Sequence, residues 1–339
     1  MTAAEVERPV RFRPFNPTFG YVCRRLFAGL QTLAFVIALN FFLIRLVPGD
    51  TIDALLPEGF GSDQQLRAEL TAKLGLDRPI WVQFADYLWS LAHLDFGFSY
   101  HYSKPVFDVV LDRLGPTALL MVAAIVFALA IGVFLGAVAA GKLHKHTDSV
   151  ILFVAMLFYA TPGFWLGLML VVIFSVQLGW LPTSGYRTVG GSFSVLGSAL
   201  DVGRHLILPA LTLGVHYLAI YVRLMRTSMV DVLEMDFIRT ARAKGASQPR
   251  VIYRHALRNA FLPVLTMLGL QIGGLLGGAV VVETIFSWPG LGRLTYDAVL
   301  QRDYNLLLAI LFASVTLVVV ANVVIDLLYS WVDPRIQLR

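Results

Sequence analysis

The sequence predicts an all-α membrane protein of about six transmembrane helices, with both termini on the cytoplasmic side. Of the 339 residues, 57% are hydrophobic and only 14% are charged, whereas about 25% of the residues of an ordinary soluble domain are charged. Six long apolar stretches each approach the roughly 20 residues that a helix needs to cross a bilayer. This composition argues against a cytosolic enzyme and excludes a disordered chain.

The apolar stretches are continuous rather than alternating, which excludes an outer-membrane β-barrel. Five of the six contain no Asp, Glu, Lys or Arg, and the first contains Arg45 close enough to its end for the charge to reach the polar interface. We interpret the first stretch as a retained helix, because no small-residue cleavage site follows it. The predicted helices are 26–47, 117–140, 150–178, 206–222, 261–282 and 306–325.

The distribution of Lys and Arg predicts the orientation. Seventeen of the 27 basic residues lie in the segments 1–25, 141–149, 223–260 and 326–339, and nine lie in the three segments of the opposite side. Because basic loops stay in the cytoplasm, the first four segments are predicted to be cytoplasmic. The chain then consists of a cytoplasmic N-terminal segment, 1–25, and a transmembrane domain, 26–339.

The outside loop 48–116 is too long to be a simple connection. Within it, Trp81, Phe84, Leu88 and Leu91 recur at helical spacing, which predicts a short amphipathic helix at the membrane surface. This helix could pack on the outer mouth of the bundle or form a docking surface for an extracytoplasmic partner. The two interpretations are compatible, and both stay open at this point.

The cytoplasmic loop 223–260 carries eight basic and three acidic residues. Apolar residues recur every three or four positions in its first half, which predicts an amphipathic helix. Gly245 is expected to end this helix, with Lys244 near its negative end. A second helix is expected to begin at Ser247, with Pro249 in its first turn. The apolar positions of the first helix are Met229, Val232 or Leu233, Phe237 and Ala241.

A hairpin of this kind that buries an apolar stripe needs a partner protein or the lipid surface, and composition leaves the choice open. The glycine-dense fifth span is predicted to form a subunit interface or a wide central path. Two isolated polar residues inside spans, Asn40 and His216, could contact solute or only pack between helices. The glycines of the fifth span are Gly269, Gly273, Gly274, Gly277 and Gly278.

The sequence offers no catalytic centre. Its single cysteine, Cys23, excludes a disulfide framework and a cysteine-based zinc site, and no nucleophile-elbow or zinc-helix motif occurs. The glycines at 136 and 141 have the outline of a phosphate-binding loop, but Leu143 stands where the magnesium-binding Ser or Thr is required. We therefore expect no cofactor in this chain, and nucleic-acid binding is not indicated by a net charge of only +5.

The cytoplasmic loop resembles a known motif. Asp236-Phe-Ile-Arg-Thr-Ala-Arg-Ala-Lys-Gly245, followed after nine residues by His255-Ala-Leu-Arg-Asn-Ala-Phe-Leu-Pro263, resembles the EAA loop of ABC importer permeases. The similarity is closest to the B-type subunit of the dipeptide/oligopeptide/nickel permease family. The general pattern has Glu where Arg239 stands and Pro where Arg258 stands, and these departures resemble the subfamily's own form. Further family-like stretches are Arg45–Asp50, Asp95–Ser99, Pro162–Gly167, Gly179–Gly185, Pro289–Arg293, Arg302–Tyr304 and Asp333–Arg335.

The resemblance implies a type I ABC importer permease fold in a bacterial cell membrane. It implies a second permease of the related C-type, two ABC ATPase subunits that bind ATP and magnesium, and an extracytoplasmic solute-binding protein. The permease itself would not be an enzyme, and its loop would hold a coupling helix that docks on an ATPase. The coupling residues carried over from the motif are Asp236, Arg239, Thr240, Ala241, Lys244, Gly245, His255, Arg258 and Asn259.

The cargo implied by the resemblance is a di- or oligopeptide, with nickel or another small solute as the alternative within the family. Two other classes of protein remain as competing hypotheses. A stand-alone secondary transporter or channel would need coupling-ion groups near the membrane midplane. A membrane-embedded enzyme would need a nucleophile or metal ligands. Both leave the large basic loop with its glycine turn unexplained.

Overall fold

The structure is a computed structural model that describes residues 19–46, 64–73, 75, 77–99, 101–191 and 194–332. Most of the predicted N-terminal segment and the family-like stretches at 47–50 and 333–335 lie outside these residues. The strands β1 (Phe98–Ser99) and β2 (Lys104–Pro105) form an antiparallel pair. The helices are α1 (Phe19–Leu46), α2 (Gln64–Lys73), α3 (Ile80–Ala92), α4 (Val106–Gly141), α5 (His146–Ala160), α6 (Gly163–Gln177), α7 (Val195–Leu233), α8 (Asp236–Ala243), α9 (Gln248–Ile285), α10 (Leu291–Leu300) and α11 (Tyr304–Val332).

The predicted all-α membrane class is confirmed. Four helices of the described residues, α4, α7, α9 and α11, are long and apolar enough to cross a membrane, and the bent pair α5–α6 gives a fifth crossing if its two arms form one span. Helix α1 has 28 residues, about 42 Å at 1.5 Å per residue, which exceeds the apolar thickness of a bilayer.

The third predicted span, 150–178, differs from expectation because it is not one straight helix. Helices α5 and α6 meet at an angle of 103°. The break falls at Thr161, whose backbone is extended (φ −77°, ψ 128°), and a residue before proline is disfavoured in the helical conformation. Pro162 then precedes the first turn of α6, whose second half, Val171–Gln177, is π-helical.

Helices α4 and α7, like α9, continue well beyond the spans that hydropathy predicted. Helix α4 begins 11 residues before the predicted span 117–140, and its outer turns pack on α10 and α11. Helix α7 has 39 residues instead of 17 and begins after Ser194, whose hydroxyl accepts a hydrogen bond from the Gly197 N–H. Charged residues such as Asp201 lower the hydropathy of the outer turns without opposing the helix itself.

Helix α7 is the centre of the bundle and packs between α4 and α9. Gly132 and Gly136 of α4 face it, and a Cβ atom at either position would lie 2.7 Å from the Cβ of Tyr221 or Met225. This spacing of small residues therefore lets two backbones approach closely, as in other membrane helix pairs.

The short helix predicted in the outside loop is present as α3, and it packs on α1. The ring of Phe84 lies 5.0 Å from that of Phe41, and the ring of Trp81 lies 5.6 Å from that of Phe42. Trp81 remains 69% exposed, as expected for an aromatic residue at a membrane surface. Packing on the outer part of the bundle is thus observed, while docking of a partner on α3 stays a prediction.

Candidate functional site

The cytoplasmic loop contains two helices before its glycine turn, where the sequence predicted one. Helix α7 ends at Leu233, Met235 is extended (φ −68°, ψ 151°), and α8 begins at Asp236. Met229 and Val232 belong to the end of α7 and are buried in the bundle. The regular apolar spacing of the sequence therefore continues across a break in the chain, and its residues lie on two different helices.

Helix α8 is attached to the bundle by one fully buried side chain, Ile238. It packs on the first turns of α9, where Val251 and Ala256 are also fully buried. The remainder of α8 is turned outward, and Phe237 on this outer side is 40% exposed. A short amphipathic helix with an apolar attachment and a polar outer surface suits docking to another protein.

Gly245 ends α8 in a left-handed conformation with φ +80°. The Gly245 N–H donates to the Arg242 carbonyl oxygen (2.9 Å), and the Ala246 N–H donates to the Ala241 carbonyl oxygen (3.1 Å). This pair of bonds is the Schellman motif, which satisfies the last carbonyl groups of a helix. No atom lies within 4 Å of a Cβ built on Gly245, so the backbone conformation alone requires glycine here.

The second helix of the loop begins where the sequence predicted and runs without a gap into a membrane span. Ser247 has the extended backbone of a cap, but its side chain makes no capping hydrogen bond, and Pro249 lies in the first turn. Residues Val251–Ala256 form a π-helical turn inside α9. The Asn259 side-chain amide donates to the carbonyl oxygen of His255 (3.0 Å).

The structure brings part of the predicted coupling set to one exposed turn. Residues 236–245 form α8 and its C-terminal cap, whereas His255, Arg258 and Asn259 lie about two to three turns into α9. The ion pair between Arg239 and Asp236 (3.3 Å) is itself exposed, with side chains 73% and 94% accessible. Ala241 and His255 are half-buried, and the exposed members are Asp236, Arg239, Thr240, Lys244, Gly245, Arg258 and Asn259.

A partly buried ion pair that was not predicted from the sequence joins the end of α7 to α5. Arg226 binds both carboxylate oxygens of Asp148, at 2.6 and 2.7 Å. Asp148 is 3% exposed, in the first turn of α5, and its second oxygen also accepts the His144 N–H. The two residues are 78 positions apart, so no local pattern connects them.

A second missed residue, Glu283, lies at the outer end of α9. It is fully buried and accepts hydrogen bonds from the Thr117 hydroxyl (2.7 Å) and from the Arg293 backbone N–H (3.0 Å). The Thr117 oxygen in turn accepts the Leu291 N–H (2.7 Å). Glu283 and Thr117 therefore satisfy the free N–H groups at the start of α10.

Other family-like stretches meet at the same outer end. The Ser99 hydroxyl donates to the Asp303 carboxylate (2.6 Å), whose other oxygen caps α11 by accepting the Leu306 N–H. The Gly185 N–H donates to the Phe286 carbonyl oxygen (2.8 Å). These stretches hold the outer loops in place, and they are far apart in the sequence.

Among the described residues, no group of three or more His, Cys, Asp or Glu side chains is placed to hold a metal ion. Gly136 of the phosphate-loop outline lies inside α4, where a Cβ would be 2.7 Å from the Val222 carbonyl oxygen. That glycine therefore serves helix packing and offers no space for a phosphate.

Comparison with known proteins agrees with this arrangement. Residues 18–123 and 132–338 match the N-terminal and main parts of the binding-protein-dependent transport system inner membrane component family. The di/tripeptide transport system permease protein DppB of Pseudomonas aeruginosa (strain UCBPP-PA14) is 42% identical over 94% of this chain and 98% of its own length. The oligopeptide transport system permease protein AppB of Bacillus subtilis (strain 168) is 40% identical, and the glutathione transport system permease protein GsiC of Escherichia coli (strain K12) is 41% identical, each over 94% of this chain and 99% of the relative.

Among solved structures, an inward-facing conformation of the MetNI methionine ABC transporter is similar with a TM-score of 0.53 and 15% identity, over 66% of this chain and 96% of that chain. At this identity the similarity concerns the fold, which is that of a type I importer permease. Nearly full-length similarity to the bacterial relatives covers both the membrane helices and the cytoplasmic loop. The chain therefore belongs to the family of inner membrane components of binding-protein-dependent transport systems, as a multi-pass ABC permease.

Proposed function

We propose that this chain forms half of the translocation path of an ATP-driven importer for di- or oligopeptides. The observation that carries the proposal is the exposed α8 helix with its Gly245 cap, attached to the bundle through Ile238 and followed directly by the α9 span. The names of three relatives at 40–42% identity, which concern di/tripeptides, oligopeptides and glutathione, support a peptide cargo.

In this proposal two ABC ATPase subunits bind ATP and magnesium, and each docks on the coupling helix of one permease. The second permease is a related C-type chain, and an extracytoplasmic solute-binding protein delivers the peptide. Closure of the ATPase dimer on ATP pulls the two α8 helices together. The packing of α8 on the first turns of α9, together with its short connection to α7, then transmits the movement to the membrane spans, and ATP hydrolysis resets them. Cofactors therefore belong to the partner chains.

The test is uptake by the complete complex in proteoliposomes, with the binding protein outside and ATP inside. A labelled tripeptide should accumulate only with ATP and only with the binding protein. The matched control is an ATPase partner whose phosphate-binding lysine is replaced, which should abolish uptake. Uptake of nickel in preference to peptides would contradict the proposed cargo, and uptake driven by an ion gradient without ATP would contradict the proposed mechanism.

A further inference from the structure

Helix α7 carries an exposed polar face that begins inside the membrane span and continues toward the cytoplasmic loop. His216 is close to the midpoint of this 39-residue helix and is exposed. Arg223 and Thr227 follow it at spacings of seven and four residues, so all three share one face of the helix, and all three are exposed. Ionisable side chains within a membrane span generally face a water-filled cavity or the inside of a bundle rather than lipid.

The imidazole of His216 is held by stacking and not by hydrogen bonds. Its ring lies 4.6 Å from the ring of Tyr159, with an angle of 18° between the planes, and Tyr217 meets it edge-on. Among the described residues none hydrogen-bonds the ring nitrogens of His216. A planar ring fixed by a stacked partner, with its N–H group unused, is prepared to bind an acceptor oxygen from outside this chain.

Glycines of α9 leave unfilled space beside the face of α7 that carries His216. The Tyr217 hydroxyl lies 3.3 Å from a Cβ built on Gly274, and Leu213 lies 3.0 Å from one built on Gly278. Residue numbers fall on α7 as they rise on α9, so the two helices are antiparallel. His216 and Gly273 each precede a residue of the Tyr217–Gly274 contact by one position, so both lie on the same side of that contact. A Cβ built on Gly273 or on Gly277 would meet no atom within 4 Å.

We infer that the Tyr159–His216 pair contacts the peptide on its way through the membrane, with the His216 N–H donating to a carbonyl or carboxylate oxygen of the peptide and Gly273 leaving room for its side chains. This inference rests on the proposed function. His216 is an ionisable residue inside the span, which disfavours lipid as the occupant of this part of the face. The alternative occupant of the open space at the glycines is the partner permease. The experiment below distinguishes that alternative from a peptide in transit.

The direct test uses cysteine labelling, for which this chain is convenient because Cys23 is its single cysteine. In a Cys23→Ser background, His216→Cys, Tyr159→Cys and Gly273→Cys are made separately. Phe134→Cys, at an apolar position of α4 that is 57% exposed, is the matched control. The complete complex in proteoliposomes is given a tripeptide whose central lysine carries a bromoacetyl group on its side chain, delivered by the binding protein.

Mass spectrometry of the chain should show covalent peptide at residues 216, 159 and 273 only when ATP is present, and none at residue 134. Uptake of the tripeptide without labelling at any of the three positions would overturn the inference while leaving the proposed function intact, as expected if the partner permease fills this face. If the unmodified complex takes up no peptide at all, both fail together.

A second measurement separates the hydrogen bond from the stacking. His216→Phe keeps a ring against Tyr159 but removes the N–H, whereas His216→Gln keeps an N–H donor. Loss of one hydrogen bond should lower the uptake rate of His216→Phe about tenfold, and His216→Gln should recover most of it. Equal rates for His216→Phe and the unmodified chain would contradict the assigned role of the imidazole.

Discussion

Gly245 isolates the effect of a single backbone angle, because its φ is +80° and no neighbour would touch a new side chain. A residue other than glycine in the left-handed region costs about 1–2 kcal/mol, and a β-branched residue tolerates this region least. We expect Gly245→Val to reach the membrane but to bind the ATPase about 5- to 30-fold more weakly, the factor that corresponds to 1–2 kcal/mol. Retention of the ATPase on the immobilised permease measures this.

Gly245→Asn is the control for that prediction, because asparagine adopts the left-handed conformation more readily than other residues. It should retain most of the ATPase. If Gly245→Val keeps normal peptide-stimulated ATP hydrolysis, the coupling role of the turn is wrong.

The Asp148–Arg226 ion pair should contribute more to the free energy of unfolding than the exposed Asp236–Arg239 pair. Removing Asp148 leaves the partly buried Arg226 charge without its partner, which costs more than the loss of an exposed pair and less than the about 3–5 kcal/mol of a fully buried one. Asp148→Ala should therefore lower the unfolding temperature in detergent by a few degrees, and Asp236→Ala, which removes the exposed pair with Arg239, should leave it almost unchanged. A similar unfolding temperature for both variants would mean that Arg226 finds another partner.

At the scale of the element, α10 depends on side chains of other helices for its first turn. Both oxygens of Glu283 accept hydrogen bonds, and Thr117 links one of them to the Leu291 N–H. Glu283→Ala removes both acceptors, so we expect faster hydrogen exchange in 291–300. Glu283→Gln should be milder, because its oxygen can still accept from Arg293 while its NH₂ donates to the Thr117 oxygen. Equal exchange in the two variants would contradict this.

The helices were predictable from the sequence where they cross the lipid bilayer. Hydropathy located the apolar parts of α4, α7, α9 and α11, because an apolar run of about 20 residues has few alternatives in a bilayer. It placed the ends of α4 and α7 too far inward, since polar turns outside the membrane are just as helical. The bend at Thr161 had a local signal in Pro162, which long apolar runs on both sides concealed.

The cytoplasmic loop was predictable for a different reason, since its glycine turn is a local backbone motif contained within residues 241–246. The break before α8 was missed because apolar spacing continues across it. Glu283 and the Asp148–Arg226 pair were missed because their partners lie 166 and 78 residues away. Contacts over such distances follow from helix packing, and one sequence carries no local sign of them.

For the molecule as a whole, α7 connects the cytoplasmic side of the membrane domain to its outer side, which the proposed mechanism requires to move together. Its cytoplasmic end is connected to α8 by a short extended break and is bound to α5 through Arg226. Its middle packs on the glycines of α4. The outer loops are fixed around Phe286 and Glu283 at the end of α9. In the proposed mechanism a pull at α8 would reach the spans through packed helices. The break between α5 and α6 is the one sharp bend among the described spans.

Binding of the ATPase in the assembled complex should respond differently to a change of side-chain charge and to a change of backbone conformation in the proposed docking turn. Arg239 and Lys244 are exposed, so reversing their charge changes interactions that water and salt screen. A pull-down of tagged chain should recover the second permease and the ATPases, with Arg239→Glu or Lys244→Glu weakening ATPase recovery a little and less so as the salt concentration rises. Gly245→Val should weaken it more and independently of salt, because a strained backbone angle is not screened. A homo-oligomer without ATPase would contradict the proposed assembly, and identical salt dependence for all three variants would contradict the proposed role of the turn.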